Sequence, residues 1–470
     1  MNHTKIIYSL ILSMLTFIFS CESFVEIDTP NFQITTEAVF KDDETAIAAV
    51  KGLYNQLYHN NTGFSNGWEN SITVLAGLSG GLISPRSTLH TKFSPYSQHE
   101  INTLNNPAAS ANLNLWSSAY NIIYLTNSVI KGLEGSTKIS ADIKNKLIGQ
   151  ALFIRAFTYF YLVNLYGDVP LLLTTDYRVN TIAFRTSTNE IWSQIEADLD
   201  QSISLLNNQT EYNEGQRIWV NKFVAMALQA RVCLFLEKWS KAEELSSKVI
   251  ENSSSYELLE DLNQVFLKNS KETIWQISPI KGSSIYPTNT NEATVFIIYP
   301  RFGRPFGSIE LSNSLIAEFE SFDKRKSDWI GQSNDILYYP YKYKVRNFYG
   351  DPTEYSMVIR FAEQFLIRAE ARTYLNNLNG ALVDLNKIRT RAGLDEFESE
   401  SKEIILESIY KERKKELFSE WGHHWFDLKR TKRAQIIFKD NHTWEDTDLF
   451  YPIPEEERMK NPNLSQNLGY

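Results

Sequence analysis

From Ala141 to Tyr166 the chain carries an apolar pattern that only a buried helix satisfies. Ile143, Leu147, Ile154, Tyr161 and Leu165 recur with a 3.6-residue period, and Leu152, Phe153, Phe157 and Phe160 fill most of the remaining circumference. A helix that is apolar nearly all round needs partners on every side, so it belongs at the centre of a helical body. Gly167-Asp-Val-Pro170 ends it, because glycine suits a helix C-terminus and proline cannot continue the turn.

Further helices are expected around this one. Asp42-Asp43-Glu44 places carboxylates at a helix start, where they oppose the positive end of the backbone dipole, and Ile47, Val50, Tyr54 and Leu57 follow at helical spacing. Trp116 to Leu133 reads the same way. Ser187-Thr-Asn-Glu190 has the form of a capping box, followed by the stripe Ile191, Ile195, Leu199 and Leu206. Two distant segments, Ala230 to Ala242 and Ala369 to Ala381, share one pattern in which a helix ends, a short turn passes, and a new amphipathic helix begins at alanine. That is the tetratricopeptide type of helix–turn–helix, but the copies lie 139 residues apart rather than at a 34-residue period. The fold expected is therefore mainly α, with helix pairs as scaffold and long irregular loops between them.

Aromatic side chains are plentiful, with 27 Phe, 24 Tyr and 10 Trp, and several of them fall in those loops. Thr62 to Asn106 contains Phe64, Trp68, Phe93 and Tyr96 among several glycines; Lys281 to Phe306 contains Tyr286, Tyr299, Phe302 and Phe306; Asp335 to Asp351 adds five tyrosines. Loops of this length inside a folded body are usually functional. A net charge of −9 with no basic patch excludes binding to nucleic acid through phosphate neutralisation.

The N-terminus reads as a targeting segment. Lys5 precedes 14 mostly apolar residues, Ile6 to Phe19, too few to span a bilayer but suited to a signal peptide. The run ends at Ile18-Phe19-Ser20-Cys21, which resembles a lipobox, so residues 1–20 are expected to be removed and Cys21 to carry the lipid anchor. Residues 21–34 then form a tether, and 35–470 a single domain with loop-rich inserts at about 62–106 and 281–351. With Cys21 acylated, Cys233 has no disulfide partner and reads as a small buried hydrophobe.

Four blocks, in order, carry a family resemblance: Leu152 to Phe160 with Leu165-Tyr-Gly-Asp-Val-Pro-Leu171; Arg360 to Ala371 with Leu385 to Leu394; Ile409 to Phe418 with Trp425-Phe-Asp-Leu-Lys-Arg430; and Tyr451-Pro-Ile-Pro with Asn461-Pro-Asn-Leu-Ser-Gln-Asn467. Together they resemble the SusD/RagB family of nutrient-binding outer-membrane lipoproteins over essentially the whole chain after Cys21. The resemblance implies a non-catalytic protein at the outer membrane, facing the cell exterior. Such a protein captures a glycan or oligosaccharide and hands it to a TonB-dependent transporter of the SusC type, without a cofactor. The acidic residues Glu22, Glu26 and Asp28 resemble the surface-export signal of such lipoproteins. Ligand residues implied by the resemblance fall in two loop regions, as Trp68, Arg86, Tyr96, Tyr286, Tyr299, Arg301 and Phe302. Ala76 to Leu82 lacks the acidic residue many family members carry there. A tetratricopeptide-type surface scaffold binding peptides is the alternative.

No catalytic motif competes. There is no Gly-x-Ser-x-Gly, phosphate loop or His-Glu-x-x-His. His423 and His424 are adjacent on a helix, about 100° apart, and cannot easily share one metal ion. Glu412, Arg413 and Glu416 are expected to be an ion-paired helix surface.

Overall fold

A computed structural model describes residues 36–58, 63–87, 90–101, 106–252, 254–279, 289–301, 304–333, 337–346 and 351–470. The signal peptide, Cys21 and the tether expected from the sequence lie outside the described residues.

The protein is mainly helical. In chain order the helices that build the body are α1 (Asp43–Gln56), α2 (Ile72–Ser79), α3 (Pro107–Gly135), α4 (Ala141–Tyr166), α5 (Thr188–Leu205), α6 (Lys222–Phe235), α7 (Trp239–Ile250), α8 (Asn291–Phe296), α9 (Phe361–Tyr374), α10 (Leu378–Arg391), α11 (Lys402–Leu417) and α12 (His423–Arg430). Among the described residues eight short strands pair two by two, all antiparallel: β1 (Ile83–Pro85) with β5 (Ile309–Leu311), β2 (Thr273–Ile277) with β8 (Ser356–Arg360), β3 (Tyr299–Arg301) with β4 (Arg304–Phe306), and β6 (Ile330–Ser333) with β7 (Leu337–Pro340).

Helix α4 has the bounds its apolar pattern predicts, and from Leu147 onward nearly every side chain is buried. It packs against α3 and α5 and ends at Gly167, whose φ of 71° is a left-handed conformation that glycine adopts without strain. Trp275 closes one side of it, edge-on to Phe153 and Phe157 at 4.9 and 5.1 Å. Helix α3 begins nine residues before the predicted Trp116, because Asn106 caps it by accepting from Ala109 N and Pro107 occupies the first turn. The two similar segments form the pairs α6–α7 and α9–α10, and α7 packs on α9. Cys233 is buried within α6, and burial pushes its thiol up to about 12. Among the described residues no helix is long and apolar enough to cross a membrane.

The charged run of α11 is not a surface. Glu412, Arg413 and Glu416 are all buried, correcting the expected exposed ion pairs. Glu416 receives hydrogen bonds from Arg360, Arg391 and Arg325, and Glu272 receives them from Arg360 and Arg391. Lys342 and Arg360 both bind Glu420, while Arg325 also pairs with Asp323. Burial alone would raise the Glu416 carboxyl, but the guanidinium groups of Arg391, Arg360 and Arg325 hold it well below the usual carboxylate range.

Removing one member leaves its partners charged and unpaired in a low-dielectric interior. Glu416→Ala is therefore expected to cost about 3–5 kcal/mol, read as a lowered urea midpoint by tryptophan fluorescence. Lys248→Ala, which breaks the exposed pair with Glu244, should leave the midpoint nearly unmoved. Equal shifts for the two variants would contradict the buried network.

Candidate functional site

The segment from Asn289 to Gly307 gathers the candidate ligand residues. Thr290 caps α8 by accepting from Ala293 N, and the chain leaves α8 directly into the β3–β4 hairpin. In that hairpin Tyr299 lies opposite Phe306 and Arg301 opposite Arg304. The Tyr299 and Phe306 rings meet edge-to-face at 5.4 Å, and the Arg301 guanidinium sits over Phe306 at 4.9 Å. Phe306 is 48% exposed, so the hairpin offers solvent an aromatic face with a cation beside it.

Two further loops are fastened to this segment. Trp68 belongs to the turn Ser65–Trp68, whose Asn66 carbonyl accepts from Asn291 Nδ2 at 2.7 Å. Gly67 approaches the Glu292 carboxyl so closely that a β-carbon there would lie 2.2 Å from its Cδ, and its φ of 71° also favours glycine. Trp68 itself is 37% exposed, a large aromatic held open by a turn docked on α8. Arg86 follows β1 and donates from Nη1 to the Gly307 carbonyl at 3.1 Å, which ties it to the end of the hairpin.

The tyrosine-rich stretch from Asp335 to Asp351 supplies a third loop, and in it a residue that the sequence does not single out, Arg346. Arg346 stacks its guanidinium 3.8 Å from the Tyr299 ring centroid, and its carbonyl accepts from Thr294 Oγ1 on α8. Glu354 shapes this loop by accepting from the amides of Lys344 and Val345 at 2.7 and 3.2 Å. Asn289 in turn accepts from the amides of Thr353 and Glu354. No local motif announces this, since Arg346 meets Tyr299 across 47 residues of chain.

Tyr96 is a correction. It is 0% exposed, its hydroxyl donates to the Ala108 carbonyl at 3.0 Å, and its ring packs on Tyr451 at 5.4 Å. It is core, and cannot serve as a sugar platform. Tyr299 is only half-buried but gives one face to Arg346, so Trp68 and Phe306 are the open aromatic surfaces. Tyr286 and Phe302 lie outside the described residues. The region around Thr62 to Asn106 is also less irregular than expected, because Ile72–Ser79 forms the buried helix α2.

Other places are less suited to a ligand. A cavity of about 740 Å³ lies along α11 and α12, but its cations are spent within the chain: Lys414 on Glu318, Lys415 on Glu320 and Arg433 on Glu407. Among the described residues no group of three His, Cys, Asp or Glu side chains is placed to hold a metal ion. His423 and His424 are both held neutral by burial, which pushes them down to about 4 and about 3.

Against Gly67, the residue before Trp68, lies an unusual carboxyl. Glu292 is buried, accepts from Ser356 Oγ, and leaves Oε2 without a hydrogen bond. Burial pushes it up to about 7, with the nearby Glu354 adding to the rise. In the unfolded chain such a group ionises near 4.5. Between these values the folded state holds more protons than the unfolded, so stability falls as pH rises and levels off above about 7. Glu292→Gln should therefore gain stability over the parent as pH climbs from 5 to 8, read as a widening difference in melting temperature. Parallel melting curves across that range would contradict the assignment.

Comparison with known proteins fits this architecture. A family model described as the SusD family matches residues 320–470, and one described as starch-binding associating with outer membrane matches residues 85–234. SusD-like protein P25 of Formosa agariphila is 25% identical, with 96% of this chain and 97% of that protein covered. A laminarin-binding SusD-like protein of solved structure has a TM-score of 0.74 at 22% identity, covering 92% of this chain and 100% of its own. Surface glycan-binding protein A from Bacteroides thetaiotaomicron has a TM-score of 0.76 at 19% identity, with the same coverage of 92% and 100%. The two matched blocks, the full-length relative and the shared helical architecture carry one conclusion: the chain belongs to the SusD/RagB family.

Proposed function

We propose that this protein is a non-catalytic, cell-surface glycan-binding protein that captures oligosaccharides and hands them to a TonB-dependent SusC-like transporter of the outer membrane. Its mature form would be anchored by acylated Cys21 through the tether 21–34, with 35–470 as one SusD-like domain on a tetratricopeptide-like scaffold. The observation that carries the reading is the convergence of Trp68, Arg86, Tyr299, Arg301, Phe306 and Arg346 on one segment, Asn289 to Gly307. Family membership supports it, as do the names of two structural relatives, one laminarin-binding and one glycan-binding. The description of the matched family, starch-binding and associating with outer membrane, supports the location.

The chemistry is that of sugar recognition. Pyranose rings present C–H faces that stack on aromatic rings, and their equatorial hydroxyls need donors at the rim. Trp68 and Phe306 supply the faces, and Arg86, Arg301 and Arg346 supply donors.

A second reading, the peptide-binding scaffold, rests on a cavity of about 340 Å³ between helices, lined by Trp239, Tyr374, Tyr410 and Arg433. Two observations weigh against it. Trp239 and Tyr374 stack on each other at 3.9 Å, and Arg433 already covers Tyr410 at 4.1 Å.

An array of starch, laminarin and other plant and algal polysaccharides, followed by calorimetry on the best binder, tests the reading. Trp68→Ala and Phe306→Ala are each expected to weaken binding about tenfold or more, equivalent to about 1.4 kcal/mol, while Tyr96→Phe leaves affinity unchanged. Full affinity in both alanine variants, or binding to peptides and no saccharide, would contradict it.

A further inference from the structure

The exposed large apolar side chains are not scattered evenly. Tyr177, Val179, Ile182 and Phe184 fall within eight residues and are 73, 54, 61 and 68% exposed. Two more join them through the fold. The C-terminal tail lies against this segment, with Asn463 and Asn461 donating to the carbonyls of Ile182 and Ala183, and it carries Leu468, 84% exposed. Helix α3 flanks the other side, its Tyr120, Asn127 and Lys131 bonding Pro170, Leu172 and Thr175, and it exposes Tyr124. Soluble surfaces rarely leave so concentrated an apolar patch uncovered.

The patch lies beside the point where the N-terminal segment joins the body. Phe40 packs on Gly132 of α3, and its carbonyl accepts from Ser136 Oγ at 2.8 Å. Lys131, the residue before Gly132, is the one that reaches Thr175. The chain between Cys21 and Thr36 can span at most roughly 50 Å at full extension, which bounds how far this side of the body can stand from the membrane when Cys21 is anchored.

The charge pattern selects what covers it. Surfaces that lie in a bilayer interface combine apolar side chains with free Lys or Arg for anionic headgroups. Here Arg178 is spent on Asp176, Arg185 on the Asp168 and Ser465 carbonyls and on Asn467, and Lys131 donates to Thr175 Oγ1 at 3.4 Å and acts on the Asp176 carboxylate through its charge. Aromatic and aliphatic anchors with their neighbouring cations satisfied suit a protein interface.

We infer that the ridge Tyr177–Phe184, with Tyr124 and Leu468 beside it, is a docking surface for a protein embedded in the same membrane, namely the barrel transporter of the proposed function. The inference rests on that reading and adds the face of this chain that makes the contact. The two regions rest on different elements, the ridge on α3 and the C-terminal tail and the aromatic hairpin on α8.

The test uses full-length acylated protein in its native membrane, with Phe184→Glu, Ile182→Glu and, as a control on the exposed face of α10, Val383→Glu. All three should keep the parent's melting temperature and glycan affinity. The ridge variants should lose at least tenfold of the co-purified barrel and the control none, and a benzophenone side chain at position 184 should cross-link to that barrel. Equal recovery by all variants overturns the surface while leaving the transporter reading intact. No barrel recovered with the parent overturns both. Flotation of the unacylated protein on protein-free vesicles of outer-membrane lipid, abolished by Phe184→Glu, overturns it in favour of a bilayer contact.

Discussion

The Glu416 carboxylate, buried among three arginines, is the interaction on which the body depends. Its partners come from distant parts of the chain: Arg325 just before β6, Arg360 at the end of β8, and Arg391 at the end of α10. Each charge is buried, so none is tolerable without the others. The set therefore fixes how the α9–α10 pair, α11 and the β2–β8 pair meet. Lys342 extends the lock to the end of β7 through Glu420 and lies 4.0 Å over the Phe418 ring.

This gives the family blocks a physical meaning. Arg360, Arg391, Glu412 and Glu416 all stand inside the sequence blocks by which the family is recognised, and all are buried in the network. The block Trp425 to Arg430 contributes in the same way, with Asp427 bound to Arg413 and Arg430, and Arg430 to Glu370. Such residues specify a body shared by relatives only about a fifth to a quarter identical. The hairpin and the Trp68 turn are attached to that body by a few backbone and amide contacts, so their outward side chains can change without disturbing it.

The helical body was largely legible in the sequence, because burial on all sides writes itself as apolar residues around a full helical turn. Helix α4 and its glycine stop are the clearest case. Where reading failed, the cause was contact at long range. Glu412 and Glu416 have the spacing of surface ion pairs, and nothing local reveals that Arg325 and Arg391 close over them. Tyr96 looked like a loop aromatic because its satisfying partner, the Ala108 carbonyl, belongs to another element. Trp68, Arg86, Tyr299 and Arg301 were named from loop position and family resemblance; that α8 and its hairpin gather them is a tertiary fact. Phe306 and Arg346 complete the group for the same reason.

The molecule divides into a locked helical body and a loop face that is proposed to meet the ligand. Hydrogen exchange measured with and without a saturating oligosaccharide tests this division most directly. Protection confined to residues 63–87, 289–308 and 337–346, with α9, α10 and α11 unchanged, is the predicted result. Protection along the groove of Trp239, Tyr374 and Tyr410, with the hairpin unaffected, would contradict it.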